Sequence, residues 1–215
     1  MNRRKPSANA PAIGHDPRMA FFNEQAATWD AAHGSSDVAI AIARLEQLDD
    51  VLALKTGQDL LEVGCGTGNL TQWLAGRVVP GRVTAVDFSR RMLGKARVKN
   101  IDADFRCLDV CRDDLGEAVY DVVLCFHCFP HFAEQPAAVR NLARSLKADG
   151  RLIVIHLAGS EHINTFHASV GGAVGADHLP QGGQWNALLD QAGLRRDRLI
   201  DRDDLFFLDA RRLKD

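Results

Sequence analysis

The sequence predicts a doubly wound α/β fold: a seven-stranded, mostly parallel sheet with an antiparallel last strand and helices on both faces. Three observations carry that expectation. From residue 59 onward, short apolar runs rich in Val, Ile and Leu alternate with amphipathic segments through short connections, the pattern of a parallel sheet covered on both faces. The first such run leads straight into a glycine turn, Gly64-Cys65-Gly66-Thr67-Gly68, and then into an amphipathic segment starting at Leu70. The last two runs are separated only by the stretch Asp201 to Asp203, too short for a crossover, so the final strand is expected to run antiparallel at or near the sheet edge.

The elements follow in order. Residues 1–14 read as a disordered tail carrying Arg3, Arg4 and Lys5, and residues 15–215 as one domain. Asp16-Pro17, an N-cap followed by proline at the first helical position, starts a helix running through Phe21, Phe22 and Ala26 toward Trp29, closed by His33-Gly34. Ser36-Asp37 opens a second helix, with Leu45, Leu48 and Leu52 at helical spacing, ending near Lys55-Thr56-Gly57. Strands are expected at 59–63, 82–86, 103–107, 119–126, 150–157, 194–200 and 204–211, and helices at 69–76, 89–99, 134–147 and 183–192. Residues 158–182, with five glycines, are too many for a routine connection and read as a functional cap.

Composition narrows the function. The 215 residues suffice for one domain of this class and leave no room for a second. A formal net charge of −2 offers no general attraction to nucleic acid or to anionic membranes. Apolar runs such as Leu152–Leu157 fall far short of the roughly 20 residues of a membrane span. The N-terminus lacks the apolar core of a signal peptide, and a cytoplasmic location is expected. Five cysteines, mostly inside apolar runs, fit reduced thiols better than a disulfide framework.

A turn with glycines at 64, 66 and 68 brings bare backbone to a ligand at a strand end, where a Cβ would block both the left-handed dihedrals and the approach. The next strand ends at Asp87, whose carboxylate suits the vicinal hydroxyls of a ribose. The one after ends at Cys107-Leu108-Asp109-Val110, putting a further carboxylate on the same rim to accept from an adenine amine. A dinucleotide fingerprint would need glycine at position 69; Asn69 stands there, which opposes a nicotinamide-dependent oxidoreductase.

Glu62 with Gly64, Gly66 and Gly68 resembles motif I of the class I S-adenosylmethionine-dependent methyltransferases. Asp87, Asp109 and Tyr120-Asp121-Val122-Val123-Leu124-Cys125 match that family's later motifs in order, and Phe21 to Asp30 resembles the N-terminal lid helix of its small-molecule members. The resemblance covers roughly residues 18–211. It implies a Rossmann-like domain with lid helices in 15–57, a cap insertion over the acceptor site in 158–182, and S-adenosylmethionine as cofactor with S-adenosylhomocysteine as product. By the same resemblance Glu62, Gly64, Cys65, Gly66, Gly68, Asn69, Asp87, Phe88, Asp109 and Val110 form the cofactor site: the backbone receives the methionine portion, Glu62 its amino group, Asp87 the ribose, and Phe88 packs on the adenine. Cys65 has no required chemistry there.

The acceptor in this family faces the end of the fourth strand, here Cys125-Phe126-His127-Cys128-Phe129-Pro130-His131-Phe132. It lacks the Asn/Asp-Pro-Pro-Tyr/Phe motif of many methyltransferases acting on nucleic acids and proteins, so a small-molecule acceptor is expected, on a monomer or homodimer. Six of the eight histidines lie between residues 127 and 178. His127, His156, His131 and His167 are the candidate catalytic residues, as general base. A metal held by histidines with Cys125, Cys128 or Glu161 is the competing idea. The separations His127-x3-His131 and His162-x4-His167 are metal-like, but the first spans Pro130 and the second has no zinc signature, so no metal is assigned. Phe126, Phe129, Phe132 and Phe166 are candidate apolar walls. The alternative function is a non-catalytic cofactor- or metal-binding regulator on the same fold.

Overall fold

The computed structural model describes residues 16–213, and the expected tail at 1–14 lies outside them. Asp16 caps the first helix, α1 (Pro17–Gln25), accepting the Arg18 backbone N–H at 2.9 Å, with Pro17 at the first helical position. That helix does not run on to Trp29. A turn at 26–28 intervenes, and a short α2 (Trp29–Ala32) follows, aimed so that Asp30 accepts a 2.5 Å hydrogen bond from Thr67 of the glycine turn. The second expected helix is likewise split, into α3 (Ser35–Glu46) and α4 (Asp49–Leu52), and Leu45 and Leu52 are buried in one cluster across the break.

The alternation then unfolds as β1 (Leu60–Val63), α5 (Thr71–Val78), β2 (Val83–Asp87), α6 (Arg90–Arg97), β3 (Asp104–Cys107), β4 (Tyr120–Phe126), α7 (Gln135–Ser145), β5 (Leu146–His156), α8 (Ser160–Val170), α9 (Gly183–Gln191), β6 (Leu194–Arg202) and β7 (Leu205–Arg212). The seven strands lie in the order β3-β2-β1-β4-β5-β7-β6, and only β7 runs against the rest. The expected fold class therefore holds. The last strand is not the edge itself. β7 reads LFFLDA, six residues buried in succession, and only an interior position buries both its faces; β6, charged and largely exposed, takes the edge.

Side-chain alternation along the strands splits the core into two layers. Leu61, Val123, Leu152 and Val154 face α7 and α9, packing with Leu142, Phe129 and Trp185. Leu60, Val122, Leu124, Ile153 and Ile155 face α3, α4 and α5, packing with Leu45, Leu52, Leu74 and Val78.

The stretch expected as an irregular cap contains α8 and a 3₁₀ turn at Gly172–Val174. What makes a helix there is a cap from far along the chain: Asp201 of β6 accepts both the backbone N–H of Ser160 at 2.9 Å and its hydroxyl at 2.6 Å. Among the described residues no helix is long and apolar enough to cross a membrane. The strand order reverses between β1 and β4, so their carboxyl ends part and open a crevice, the place where ligands bind in sheets of this kind.

Candidate active site

One cavity fills that crevice. Its floor is the glycine turn, in which Gly64, Gly66 and Gly68 have φ of 66°, 55° and 81°, a region L-residues rarely adopt. The turn is also sterically closed: a Cβ on Gly64 would lie 2.5 Å from the Cβ of Cys128, and one on Gly68 would lie 3.2 Å from side-chain atoms of Ala96 and Ile101. Cys65 turns away into the core layer under α5, and its N–H bonds the Val86 carbonyl at 3.0 Å, tying the turn to β2.

Two buried carboxylates stand beneath it. Asp87 accepts the N–H of Gly66 at 2.9 Å and that of Ser89 at 2.8 Å, and burial still pushes its pKa up to about 6. Glu62 accepts the Thr71 hydroxyl at 2.6 Å, and burial, with Asp87 adding repulsion, pushes its pKa up to about 8. Neither carboxylate has a cationic side chain as a hydrogen-bond or ion-pair partner among the described residues, and no Lys or Arg lines the cavity. Burial thus makes charge costly on both carboxylates, and a bound cation would lower that cost.

Phe88, Asp109 and Val110 line the same cavity, joined by Met92 and Cys111. Ser89 caps α6 over it by accepting the Met92 N–H at 3.2 Å. Asp109 accepts the Cys111 N–H at 2.9 Å in a tight turn. Of the expected cofactor residues, Gly64, Gly66, Asp87, Phe88, Asp109 and Val110 border the cavity, whereas Glu62, Cys65 and Gly68 lie behind its wall. Asn69 points outward to accept from Lys99 Nζ at 2.7 Å.

The outer side is covered by α1 and α2. The Phe22 ring lies 5.9 Å from Phe88, 6.1 Å from Trp29 and 4.9 Å from the His131 imidazole. Asn23 accepts the Ser89 hydroxyl at 2.8 Å, and Lys99 ion-pairs with Asp30 at 3.2 Å.

The four candidate histidines separate here. His127 and His131 line the cavity; His156 and His167 do not. His127 has a left-handed φ of 54° that its contacts hold in place: its N–H bonds the Ile155 carbonyl at 3.0 Å and its Nε2 accepts the Leu157 N–H at 3.2 Å. Although the residue keeps surface open to solvent, crowding in the cleft, with positive charge from Arg44 and His33, lowers its pKa to about 4. His127 is therefore a neutral acceptor already in use. His156 is 2% exposed, with its Nε2 unpartnered among the described residues, and burial holds it well below the usual imidazole range. The His167 ring bonds the Asp177 carbonyl through Nδ1 at 3.2 Å. His131 bonds the Asp177 carboxylate through Nδ1 at 2.7 Å, and among the described residues no partner is seen for its Nε2.

Of the candidate aromatic walls only Phe132 borders the cavity. Phe129 is fully buried against Trp185, Phe126 packs in the other core layer, and Phe166 is 56% exposed. Cys128 lines the cavity, its thiol donating to the Val63 carbonyl, and burial keeps it protonated. Glu161 and His162 are exposed on α8, and among the described residues no group of three or more His, Cys, Asp or Glu is arranged to hold a metal ion. The residues missed from the sequence are Asp16, Met92, Cys111 and, above all, Asp177. Met92 follows from the Ser89 cap, but nothing local marks Asp177.

Comparisons with known proteins agree with this geometry. A family described as "Methyltransferase domain" matches residues 61–154. Malonyl-(acyl-carrier protein) O-methyltransferase of Acetivibrio thermocellus is 35% identical over 133 residues, 61% of this chain and 46% of that protein. Ubiquinone biosynthesis O-methyltransferase of Alkalilimnicola ehrlichii is 30% identical over 146 residues, 65% of this chain and 58% of that protein. The chain thus spans about half the length of these curated relatives. Magnesium protoporphyrin IX methyltransferase from Synechocystis, solved with bound S-adenosylhomocysteine, superposes with a TM-score of 0.66 at 24% identity, covering 91% of this chain and 97% of that one, a likeness of fold.

Proposed function

We propose that this chain, whose residues 61–154 form a class I S-adenosylmethionine-dependent methyltransferase domain, methylates a small molecule with His131 as the proton acceptor. The observation that carries the reading is a single cavity that runs from the glycine turn and Asp87 to His127, His131 and Phe132 at the end of β4. Donor and acceptor would share it without a barrier.

The residues fit the cofactor on their own chemistry. Gly64 and Gly66 leave backbone bare for the methionine portion, and a Cβ at Gly64 would collide with Cys128 at the cavity edge. Glu62 and Asp87, buried and short of positive partners, gain from an ammonium and from ribose hydroxyls respectively. Phe88 and Met92, with Asp109 and Val110, line the part of the cavity that would take the adenine. When bound, S-adenosylmethionine supplies a methyl group already activated by its sulfonium.

The protein's remaining tasks are to align the acceptor, exclude water and remove a proton. Phe22, Trp29 and Phe132 wall the cavity against water. His131 suits the proton because Nδ1 is fixed on a carboxylate and Nε2 has no partner among the described residues, whereas the Nε2 of His127 is spent on Leu157. The relatives named as O-methyltransferases support an oxygen acceptor. The net charge of −2 supports small molecules over nucleic acid, and a cytoplasmic, monomeric or homodimeric enzyme is part of the same proposal.

Calorimetry with S-adenosylmethionine and with a nicotinamide nucleotide, followed by an acceptor screen read as S-adenosylhomocysteine formation, tests this. The sulfonium cofactor should bind and the nicotinamide should not. His131→Ala should lower kcat by about 100-fold or more while cofactor affinity stays within about two-fold. Equal losses in both would make His131 a structural residue.

A further inference from the structure

We propose that Asp177 is a positioning residue that ties the seating of α1 over the cavity to the aim of the His131 imidazole, by giving one carboxylate oxygen to each. The inference deepens the methyltransferase reading and rests on it for the role of His131.

The Asp177 side chain has no exposed surface. Its Oδ1 accepts Arg18 Nε at 2.6 Å, and its Oδ2 holds His131 Nδ1 at 2.7 Å. Arg18 is 159 residues away in sequence, on the helix that covers the cavity; His131 is 46 away, at the end of β4. The strap bearing Asp177 is itself pinned. Asn164 of α8 donates to the Leu179 carbonyl at 3.0 Å and accepts the Leu179 N–H at 2.7 Å, and Asp177 bonds Val174 and His167 through its backbone. The carboxylate is thus a fixed point, and the helix and the imidazole are what it positions.

Two consequences follow from buried-charge physics. A buried carboxylate without enough positive charge is costly, so α1 gains its seat by bringing Arg18 to Asp177. Once Oδ2 holds Nδ1, the imidazole cannot turn, and Nε2 is the nitrogen presented to the cavity. Phe22, one helical turn beyond Arg18, adds a second tie: its ring rests on both Phe88 and His131. Unseating α1 would remove the Arg18 charge from Asp177 and the apolar wall from His131 together. The base would be aimed only while the cavity is covered, which keeps it from working on water.

Nuclear magnetic resonance titration of the histidine rings in the full chain, with S-adenosylhomocysteine as the binding probe, tests the coupling. The charged and titratable groups facing His131 are Asp177, Arg18 of α1 and its cap Asp16, Asp87, and the imidazoles of His156 and His167, whose pKa values are lowered. Asp177→Asn removes the anion and leaves Arg18, so the His131 midpoint should fall by about one unit and its tautomer should no longer be fixed. Arg18→Ala removes the opposing cation, so the midpoint should rise, by roughly half a unit. Both variants should bind S-adenosylhomocysteine about 3- to 10-fold more weakly, through the loosened α1.

Shifts of opposite sign are what a merely structural role would not produce. A His131 midpoint unmoved by Arg18→Ala, or moved the same way by both substitutions, would overturn the proposal. Should Asp177→Asn fail to fold, Arg18→Ala decides alone, since Arg18 sits on a peripheral helix. Opposite shifts in a chain that binds no S-adenosylhomocysteine would sink the cofactor reading while sustaining the coupling. Binding without the shifts would do the reverse.

Discussion

The two ends of the cavity are built from different materials. At the proposed cofactor end the work falls to backbone N–H groups and to carboxylates of one sign: Asp87, pushed up to about 6, and Asp109 on the wall, and Glu62, pushed up to about 8, behind it, with no Lys or Arg lining that wall among the described residues. At the proposed acceptor end stand His127 and His131 with aromatic rings, and Asp177, the carboxylate bonded to His131, already has Arg18 against it. The first end lacks positive charge until a cationic ligand brings it. The second is balanced without a ligand and suits an acceptor that arrives neutral and leaves without its proton.

The seam between the ends is where a single atom should cost most. Gly64 and Cys128 meet there, so Gly64→Ala places a Cβ 2.5 Å from the Cys128 Cβ on a backbone already at φ 66°. A loss of ~3 kcal/mol in thermal unfolding is expected, with S-adenosylhomocysteine binding weakened beyond about 30-fold in calorimetry. Near-normal binding would mean that the seam yields and that the two ends are not rigidly joined.

The charge contrast can be tested through protons. Glu62 has its folded pKa raised from 4.5 to about 8, so the stability it contributes is full below about pH 4.5 and is lost as pH rises toward 8. Glu62→Gln should flatten that decline in the ligand-free protein, by about 2 kcal/mol near pH 8. Binding of S-adenosylhomocysteine at pH 7 should release a proton from the native chain, seen as a binding enthalpy that depends on the buffer. Loss of that dependence in Glu62→Gln assigns the proton; its persistence would move the protonated group elsewhere.

The smallest effect should come from His156, which lies behind the acceptor end with a buried, unpartnered Nε2. His156→Leu should change stability at pH 7 by no more than ~1 kcal/mol, in the stabilising direction. Its folded pKa is depressed, so its contribution is present above about pH 6.5 and is lost as pH falls. The variant should therefore hold its melting temperature better than the native chain at pH 5. A large fall in turnover would instead extend the acceptor end to β5.

Much of the proposed cofactor end was legible because its residues are neighbours twice over. Glu62, the glycines and Asp87 sit at the ends of adjacent strands, so strand, turn and carboxylate placed them before any packing was known. The histidines were legible as a concentration in sequence and not as an arrangement. His127, His131, His156 and His167 all fall near the ends of β4 and β5 or on α8. Which of them meets open space depends on the Leu157 N–H that engages His127 and on the carboxylate that reaches His131.

The sequence by itself determined the doubly wound sheet, the antiparallel last strand and the glycine turn. Each follows from local patterns: apolar runs alternating with amphipathic segments, a reversal too short to cross over, and a forbidden Cβ. Tertiary structure alone decided that β7 lies inside β6, that Asp201 caps a helix 41 residues away, and that Asp177 joins Arg18 to His131. The first is a choice of sheet position by burial, and the second is a cap across a long stretch of chain. The third draws its energy from a buried carboxylate with no water to turn to, a condition that exists only once the core has closed.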